Sequence, residues 1–325
     1  NDLGFIKKIG FDVAKKASHV WNFNNDIAVC PLCKLVYSCL PAGFVYVNDS
    51  GLYINANIDM GYNLRVNSNV KQSVLQGAED ILSTRKVFHA LIEALQKQEI
   101  EKGKFELADI QVVRYRNGTY RFNILPQSTI KLIRQFHEEI NKLFRTGYRQ
   151  GNDRYSIYEQ VVELVINNQN LFTLLYKLLH HKLSFPSDCY FSMLNILDIL
   201  KINIQLIKNL GGMQDMDDNR DFLKEAKGAG YYLRREYHNK DSNKKSNKLS
   251  GISYRLLNAL KTGNRNMFMD TLLNCYLYVG KEVPSVFLDV FKDDDQFRTI
   301  GYAFITGFID EKNSVINQTE NREGS

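Results

Sequence analysis

Proline is scarce in this chain. Five prolines stand in 325 residues, about 1.5% against a usual value near 5%. A proline inside a helix removes a backbone donor and clashes with the preceding turn, so a sequence this seldom interrupted can run long helices. After Pro126 it does so almost throughout. Apolar residues recur at three- and four-residue spacing over 128–146, 153–182, 187–210, 218–238, 251–262, 265–280 and 294–310, the period of one helix face. Local signals bound these segments: Ser187 or Asp188 behind Pro186 as an N-cap, Gly211-Gly212 as a stop, Ser250 as a cap, Gly263 as a C-terminal break, and Asp293 with Gln296 as a variant capping box. Between two of the helices, His238 to Lys248 has no apolar residue and reads as a mobile basic loop.

Ahead of Pro126 the period changes. A short basic amphipathic stretch runs from Ile6 to Val20, followed by the cysteine segment. Phe44 to Val47 and Leu52 to Ile54 alternate in strand fashion about a turn at Asn48-Asp49-Ser50-Gly51, and Ile110 to Tyr115 and Thr119 to Ile124 do so about Asn117-Gly118. Asn-Gly supplies the positive φ of a two-residue hairpin turn. Between them, 69–98 has helical spacing, with Gly103 as its stop. The fold expected is mainly α: a helical C-terminal bundle preceded by a small α+β region with two β-hairpins and a C-x-x-C turn. The expected domains are 1–126 and 127–325.

Hydrophobic residues at 44% and charged residues at 24% are values of a folded globular chain. No apolar run approaches the roughly 18 residues of a membrane span, and no secretory pattern opens the sequence, so no membrane partner and a cytoplasmic location are expected. The first residue is Asn1, and Leu3-Gly4-Phe5-Ile6 reads like the middle of a fold, so sequence upstream is expected.

The net charge of +6 is unevenly spread. Residues 221–270 hold eleven cations against five acids, an excess equal to that of the whole chain. Arg234, Arg235, Lys244, Lys245, Lys248, Arg255, Lys261 and Arg265 lie there, interleaved with Tyr231, Tyr232, Tyr237 and Tyr254. Cations neutralise phosphates and release counterions, and tyrosine rings can stack on unpaired bases. A solvated helix face with buried tyrosines would give the same pattern.

The five cysteines, Cys30, Cys33, Cys39, Cys189 and Cys275, are an odd number scattered over a chain too large to need stapling, so disulfides are not expected. Cys189 and Cys275 fall in helical apolar patterns and read as core. Cys30-Pro31-Leu32-Cys33 is sharper, since two thiolates two residues apart can grip one tetrahedral zinc. It is half a site: Cys39 and His19 are near, but neither spacing is diagnostic. Unligated structural cysteines and a redox pair remain open alternatives, the latter lacking a thioredoxin-like context.

Catalysis has no visible seat. His137-Glu138-Glu139 lacks the second histidine of a zincin helix, His180-His181 suits the C-terminal end of a helix, and Asp293-Asp294-Asp295 suits the start of one. Gly228-Ala229-Gly230 follows no strand, and neither a P-loop nor a G-x-S-x-G elbow occurs. The protein is not expected to be an enzyme.

Ser250 to Asn264, Met267 to Leu273, Val283-Pro284 and Ile300 to Ile309 resemble the CXXC-CXXC family of CRISPR-associated proteins, large subunits of type I-B Cascade complexes. The resemblance covers roughly 220–310, and Cys30-Pro-Leu-Cys33 with Leu40 to Phe44 agrees with one of that family's two cysteine pairs. A second pair is missing here. The resemblance implies a non-catalytic subunit of a crRNA-guided surveillance complex, binding crRNA and target DNA beside other Cascade subunits, helping to recognise the protospacer-adjacent motif and recruiting a helicase-nuclease. The eight cations named above would then contact nucleic-acid backbone, since guide pairing supplies sequence specificity. A zinc-dependent or redox enzyme centred on Cys30 and Cys33, or a helical scaffold without nucleic acid, are the alternatives.

Overall fold

The computed structural model describes residues 30–47, 50–55, 60–76, 83–97, 109–116, 119–213, 221–240 and 247–310. The chain divides into two compact units, Asn1–His137 and Glu138–Ser325.

In the first unit, α1 (Pro31–Ser38) and a 3-10 turn (Leu40–Gly43) lead into β1 (Val45–Val47) and β2 (Ser50–Asn55). Two helices follow, α2 (Met60–Gln76) and α3 (Ser83–Lys97), then β3 (Ile110–Arg116), β4 (Thr119–Leu125) and α4 (Gln127–Gln135). The two expected hairpins are present and join edge to edge, giving one antiparallel sheet in the order β1-β2-β3-β4. Strand side chains alternate between faces. One face carries Leu52, Ile54, Val112 and Leu125, which are buried together with Val66 and Val70 of α2 and Phe88, Leu91, Ile92 and Leu95 of α3. Past the end of β1, the Asn67 amide takes the missing strand's place on β2: its Oδ1 accepts from the Ile54 N–H at 3.0 Å and its Nδ2 donates to the Ile54 carbonyl at 2.8 Å. Backbone groups at a buried edge need partners, and this amide fixes α2 to the strand. Arg114, on the same face, lies 5.3 Å over the Phe88 ring and donates to Asn123 at 2.8 Å.

Two expectations are corrected here. The periodicity over 69–98 is shared by two helices that pack on each other, α2 over Met60–Gln76 and α3 over Ser83–Lys97. Ser50 and Gly51 belong to β2 instead of a turn, because glycine in the strand makes room for the Tyr46 ring, which a Cβ at Gly51 would meet at 2.9 Å.

The second unit begins within α5 (His137–Lys142). A small antiparallel sheet of β5 (Gly147–Gln150), β6 (Asp153–Ser156) and β7 (Cys189–Tyr190) follows, in the order β6-β5-β7. Helices α6 (Ile157–Ile166), α7 (Phe172–Ser184), α8 (Met193–Asn209), α9 (Phe222–Lys240), α10 (Asn247–Thr262), α11 (Arg265–Val279) and α12 (Asp294–Ile309) make the bundle, with a 3-10 segment over Ser285–Phe291. The core is α12. Every residue from Gln296 to Ile309 except Arg298 is buried, and α12 contacts α7, α8, α9, α10 and the 3-10 segment. Its closest neighbour is α9. A Cβ on Gly230 would land on the Phe304 carbonyl oxygen and one on Gly307 on the Lys227 carbonyl oxygen, so each helix turns a glycine to the other's backbone.

The helices expected over 128–146 and 153–182 are shorter and more divided than their apolar spacing suggests. Residues 147–156 form the β5–β6 hairpin about Gly151-Asn152, with Gly151 at φ 62°. Asn167 to Asn170 separate α6 from α7, and the Leu171 N–H donates to the buried Asn203 Oδ1 at 2.6 Å. Helix α8 starts six residues later than expected, at Met193, because Ser192 and Asn195 form a reciprocal capping box in place of Ser187 or Asp188. Ser250 lies inside α10, which starts at Asn247. Gly211 and Gly263 act as expected, with φ 89° and 69°, and Asp293 accepts from the Gln296 N–H at 2.7 Å; Gly103 lies outside the described residues, and of the loop expected over 238–248, His238 to Lys240 close α9 while Asn247 and Lys248 open α10.

Candidate nucleic-acid interface

The basic window 221–270 folds as α9, α10 and the start of α11. Lys244 and Lys245 lie outside the described residues. The remaining six cations fall into different roles.

Arg234 is half-buried and donates to the Phe308 carbonyl at 2.9 Å, closing one of the acceptors that the last turn of α12 leaves open. Arg265 pairs with Asp294 and lies 5.9 Å from the Phe297 ring centroid. Both tie helices together. Arg235, Lys248, Arg255 and Lys261 are exposed. On α10, Lys248 and Arg255 are two turns apart on one face, whereas Lys261 reaches over the Tyr176 ring of α7 at 4.9 Å. The six described residues among those named from sequence therefore do not make one cluster.

The tyrosines divide in the same way. Tyr237 is buried against Tyr278 at 4.7 Å, and the Tyr254 hydroxyl is bonded to Ser184 at 2.8 Å. Tyr232 is 56% exposed. The Arg235 guanidinium lies 5.1 Å over its ring, an arrangement that offers a flat cationic surface. This pair stands at the lip of a cleft of about 700 Å³ between α9, α11 and the 3-10 segment. Ala229, Leu233, Tyr276, Val279 and Val286 line it, with Lys224, Arg235 and Lys281 facing Glu225, Glu236 and Glu282 around the rim.

A cationic feature absent from the sequence reading lies on the β5–β6 hairpin. Arg149 and Arg154 are directly opposite across the strands and both exposed, and like charges so placed repel unless an anion lies between them. On the reverse face, Lys177 lies 5.1 and 5.0 Å from the Tyr148 and Tyr155 rings. The alternation Tyr148-Arg149-Gln150 and Asp153-Arg154-Tyr155 about Gly151-Asn152 was the available signal.

Cys30 and Cys33 are exposed at the first turn of α1. The Cys33 N–H donates to Cys30 Sγ at 3.2 Å. This bond, with the Cys33 thiol and the Leu32 N–H, holds the Cys30 pKa below the ordinary thiol value, while the proton shared with Cys30 raises that of Cys33. Cys39 is exposed, and no group of three or more His, Cys, Asp or Glu is gathered among the described residues. Two thiols do not close a structural zinc site. His19 lies outside the described residues. Cys275 is core as expected, its thiol pushed up to about 11 by burial; Cys189, expected in a helical core pattern, is instead the first residue of β7, paired with Tyr148 and half-buried, its thiol raised by the same cause.

The groups set aside as catalytic have structural partners. His137 bonds Glu93 at 3.0 Å, Asp293 caps α12, and Gly230 is the close approach of α9 to α12.

Residues 1–45 match the family model of a CRISPR-associated protein (Cas_CXXC_CXXC). The match includes Cys30-Pro31-Leu32-Cys33 and Leu40 to Phe44; the segment 220–310 lies outside it. No curated protein and no solved structure matches the chain. No helix among the described residues is long and apolar enough to cross a membrane.

Proposed function

We propose that this protein is a non-catalytic large subunit of a type I-B CRISPR surveillance complex, in which it contacts crRNA and target DNA, aids recognition of the protospacer-adjacent motif and recruits the helicase-nuclease. The observation that carries this reading is the CRISPR-associated match around the Cys30–Cys33 pair. The exposed cations of the bundle support it, because a protein whose specificity comes from guide pairing mainly needs positive charge and shape. Arg235, Lys248, Arg255 and Lys261 are the residues for backbone contact, with Lys244 and Lys245 between α9 and α10 in sequence. Arg234 and Arg265 act by holding the helices that carry them.

The test is binding of the full chain to a crRNA-loaded complex and its target duplex across a salt series. Reversing Arg235, Lys248, Arg255 and Lys261 to Glu should make the logarithmic salt slope shallower by about three to four. An unchanged slope sinks the assignment of these residues.

Cys30 and Cys33 would give two thiolates to a structural zinc whose other donors lie beyond the described residues. The helix-start geometry and the lowered Cys30 pKa favour a second reading, a dithiol redox pair. Metal analysis of the purified chain separates the two: stoichiometric zinc lost on Cys30→Ser supports the clip, and metal-free protein that forms a Cys30–Cys33 disulfide supports the redox pair.

A further inference from the structure

The small sheet of the second unit has two unlike faces. Side chains alternate along a strand, so register places Tyr148, Gln150, Asp153, Tyr155 and Cys189 on one face and Gly147, Arg149, Arg154, Ser156 and Tyr190 on the other. Helix α7 covers the first: Tyr148 is buried with its ring 5.1 Å from that of His181, and Lys177 lies over Tyr148 and Tyr155. The second face carries two exposed arginines directly opposite each other and a tyrosine that is 53% exposed. Arg149 Nε donates to the Gly151 carbonyl at 3.0 Å, its terminal nitrogens donate to nothing, and among the described residues the Arg154 and Tyr190 side chains have no partner. Tyr190 stands opposite Gly147, diagonal to Arg149. Gly147 keeps the space between them bare, because a Cβ there would meet the Tyr155 carbonyl oxygen at 2.6 Å. The cations of α9 differ: Lys227 pairs with Asp310, Arg235 with Glu236, and Arg234 and Lys240 donate to the Phe308 and Tyr278 carbonyls.

We propose that this face holds one nucleotide of a single-stranded nucleic acid, its phosphate between Arg149 and Arg154 and its base on the Tyr190 ring. Like charges directly opposite weaken a hairpin. Guanidinium forks match phosphate oxygens, so a phosphate seated between the two arginines replaces their repulsion with charge-assisted hydrogen bonds. No carboxylate on this face competes for them, since Asp153, the one acid of the hairpin, belongs to the other face. Diagonal neighbours on a sheet are within reach of long side chains, which brings the Tyr190 ring beside the arginine pair. An exposed ring gives a base a surface to stack on, and only an unpaired base can use it. A free nucleotide needs a concave pocket that buries most of it, whereas one nucleotide of a strand is held at further points along the strand and can rest on an open sheet face. An acidic peptide would engage the arginines and leave the ring unused. The proposal deepens the function given above and rests on it for the presence of a nucleic-acid partner, but none of its residues lies on α9 or α10.

The test uses the full chain and a fluorescein-labelled thymidine 15-mer, read by anisotropy over a salt series. Changing Arg149 and Arg154 together to Gln should make the logarithmic salt slope shallower by about 0.7, the loss of one phosphate of a single strand. Arg154→Gln alone should move it in the same direction, at a side chain the fold does not use. Tyr190→Leu should weaken binding about fivefold with the slope unchanged, and Tyr190→Trp should retain affinity. Lys292→Gln removes as much charge as Arg154→Gln, from a lysine paired with Asp289 at 2.9 Å, and should leave the slope unchanged. An equal change in Lys292→Gln would mean that net charge was read, and overturns the site. So does wild-type behaviour of the arginine and tyrosine variants, or a wild-type chain that does not bind the 15-mer at low salt. Equal affinity for a 15-bp duplex overturns the unpaired base. Competition by thymidine monophosphate or by polyglutamate at the concentration of the 15-mer overturns the strand. In the crRNA-loaded complex, a slope that responds to reversal of Arg235, Lys248, Arg255 and Lys261 while the hairpin variants behave as wild type keeps the function and removes this site, so either can fail alone.

Discussion

The two units bury apolar surface differently. The second wraps helices around α12, whose side chains are buried on all sides. The first lays two helices on one face of a sheet and leaves Tyr46, Phe122 and Ile124 of the other face exposed. A helix apolar all round demands full enclosure, while an antiparallel sheet is stable with one face covered. The bundle therefore keeps its most apolar helix out of a partner's reach, while among the described residues the sheet leaves Tyr46, Phe122 and Ile124 exposed.

The largest expected effect tests the enclosure. Gly307→Ala should cost about 3 kcal/mol or more, because the new methyl lands on the Lys227 carbonyl oxygen and the α9–α12 approach must open. A thermal melt within a degree of wild type would show that the two helices do not pack this closely. Next comes the asymmetry of the sheet: Ile54→Ala, on the covered face, should cost about 2–5 kcal/mol, and Phe122→Ala, on the open face, under about 0.5. Equal losses in urea denaturation would mean that both faces are covered.

Within the bundle, adjacent arginines should separate. Arg234→Ala should lower stability by about 1.5–3 kcal/mol through the lost bond to Phe308 and leave the salt slope unchanged. Arg235→Ala should leave stability unchanged and make the slope shallower by about one. The smallest effect is a pH ordering at α1. Thiolate is the reactive form, and Cys30 is lowered while Cys33 is raised, so alkylation followed by mass spectrometry should modify Cys30 at lower pH than Cys33. The reverse order would break the N–H to Sγ bond assigned here.

Much of the fold was legible because its signals are local. Gly263, Asp293 and the alternation about residues 48–49 and 117–118 act over a few residues, and the elements followed. The misreadings arose where a local pattern had two readings. Residues 153–156 continue the apolar spacing of α6, but their partner is β5, and pairing with a second strand decided the matter. At Ser50-Gly51 turn composition is real, yet the ring of Tyr46 needs the space. The site was less legible than the fold. Arg234 and Arg235 are neighbours in sequence and equal in charge, and nothing local says that one meets the end of α12 and the other lies over the exposed Tyr232 ring beside Glu236.

By itself the sequence determined the helical class, the two hairpins, the excess of cations in 221–270 and the cysteine pair, since composition, period and spacing are properties of the chain alone. Only the tertiary structure decided which of the described cations are exposed, that Gly230 and Gly307 let two backbones meet, and that two separate hairpins join into one sheet. Those outcomes depend on which distant residues arrive at the same place, and burial and pairing energies are set there.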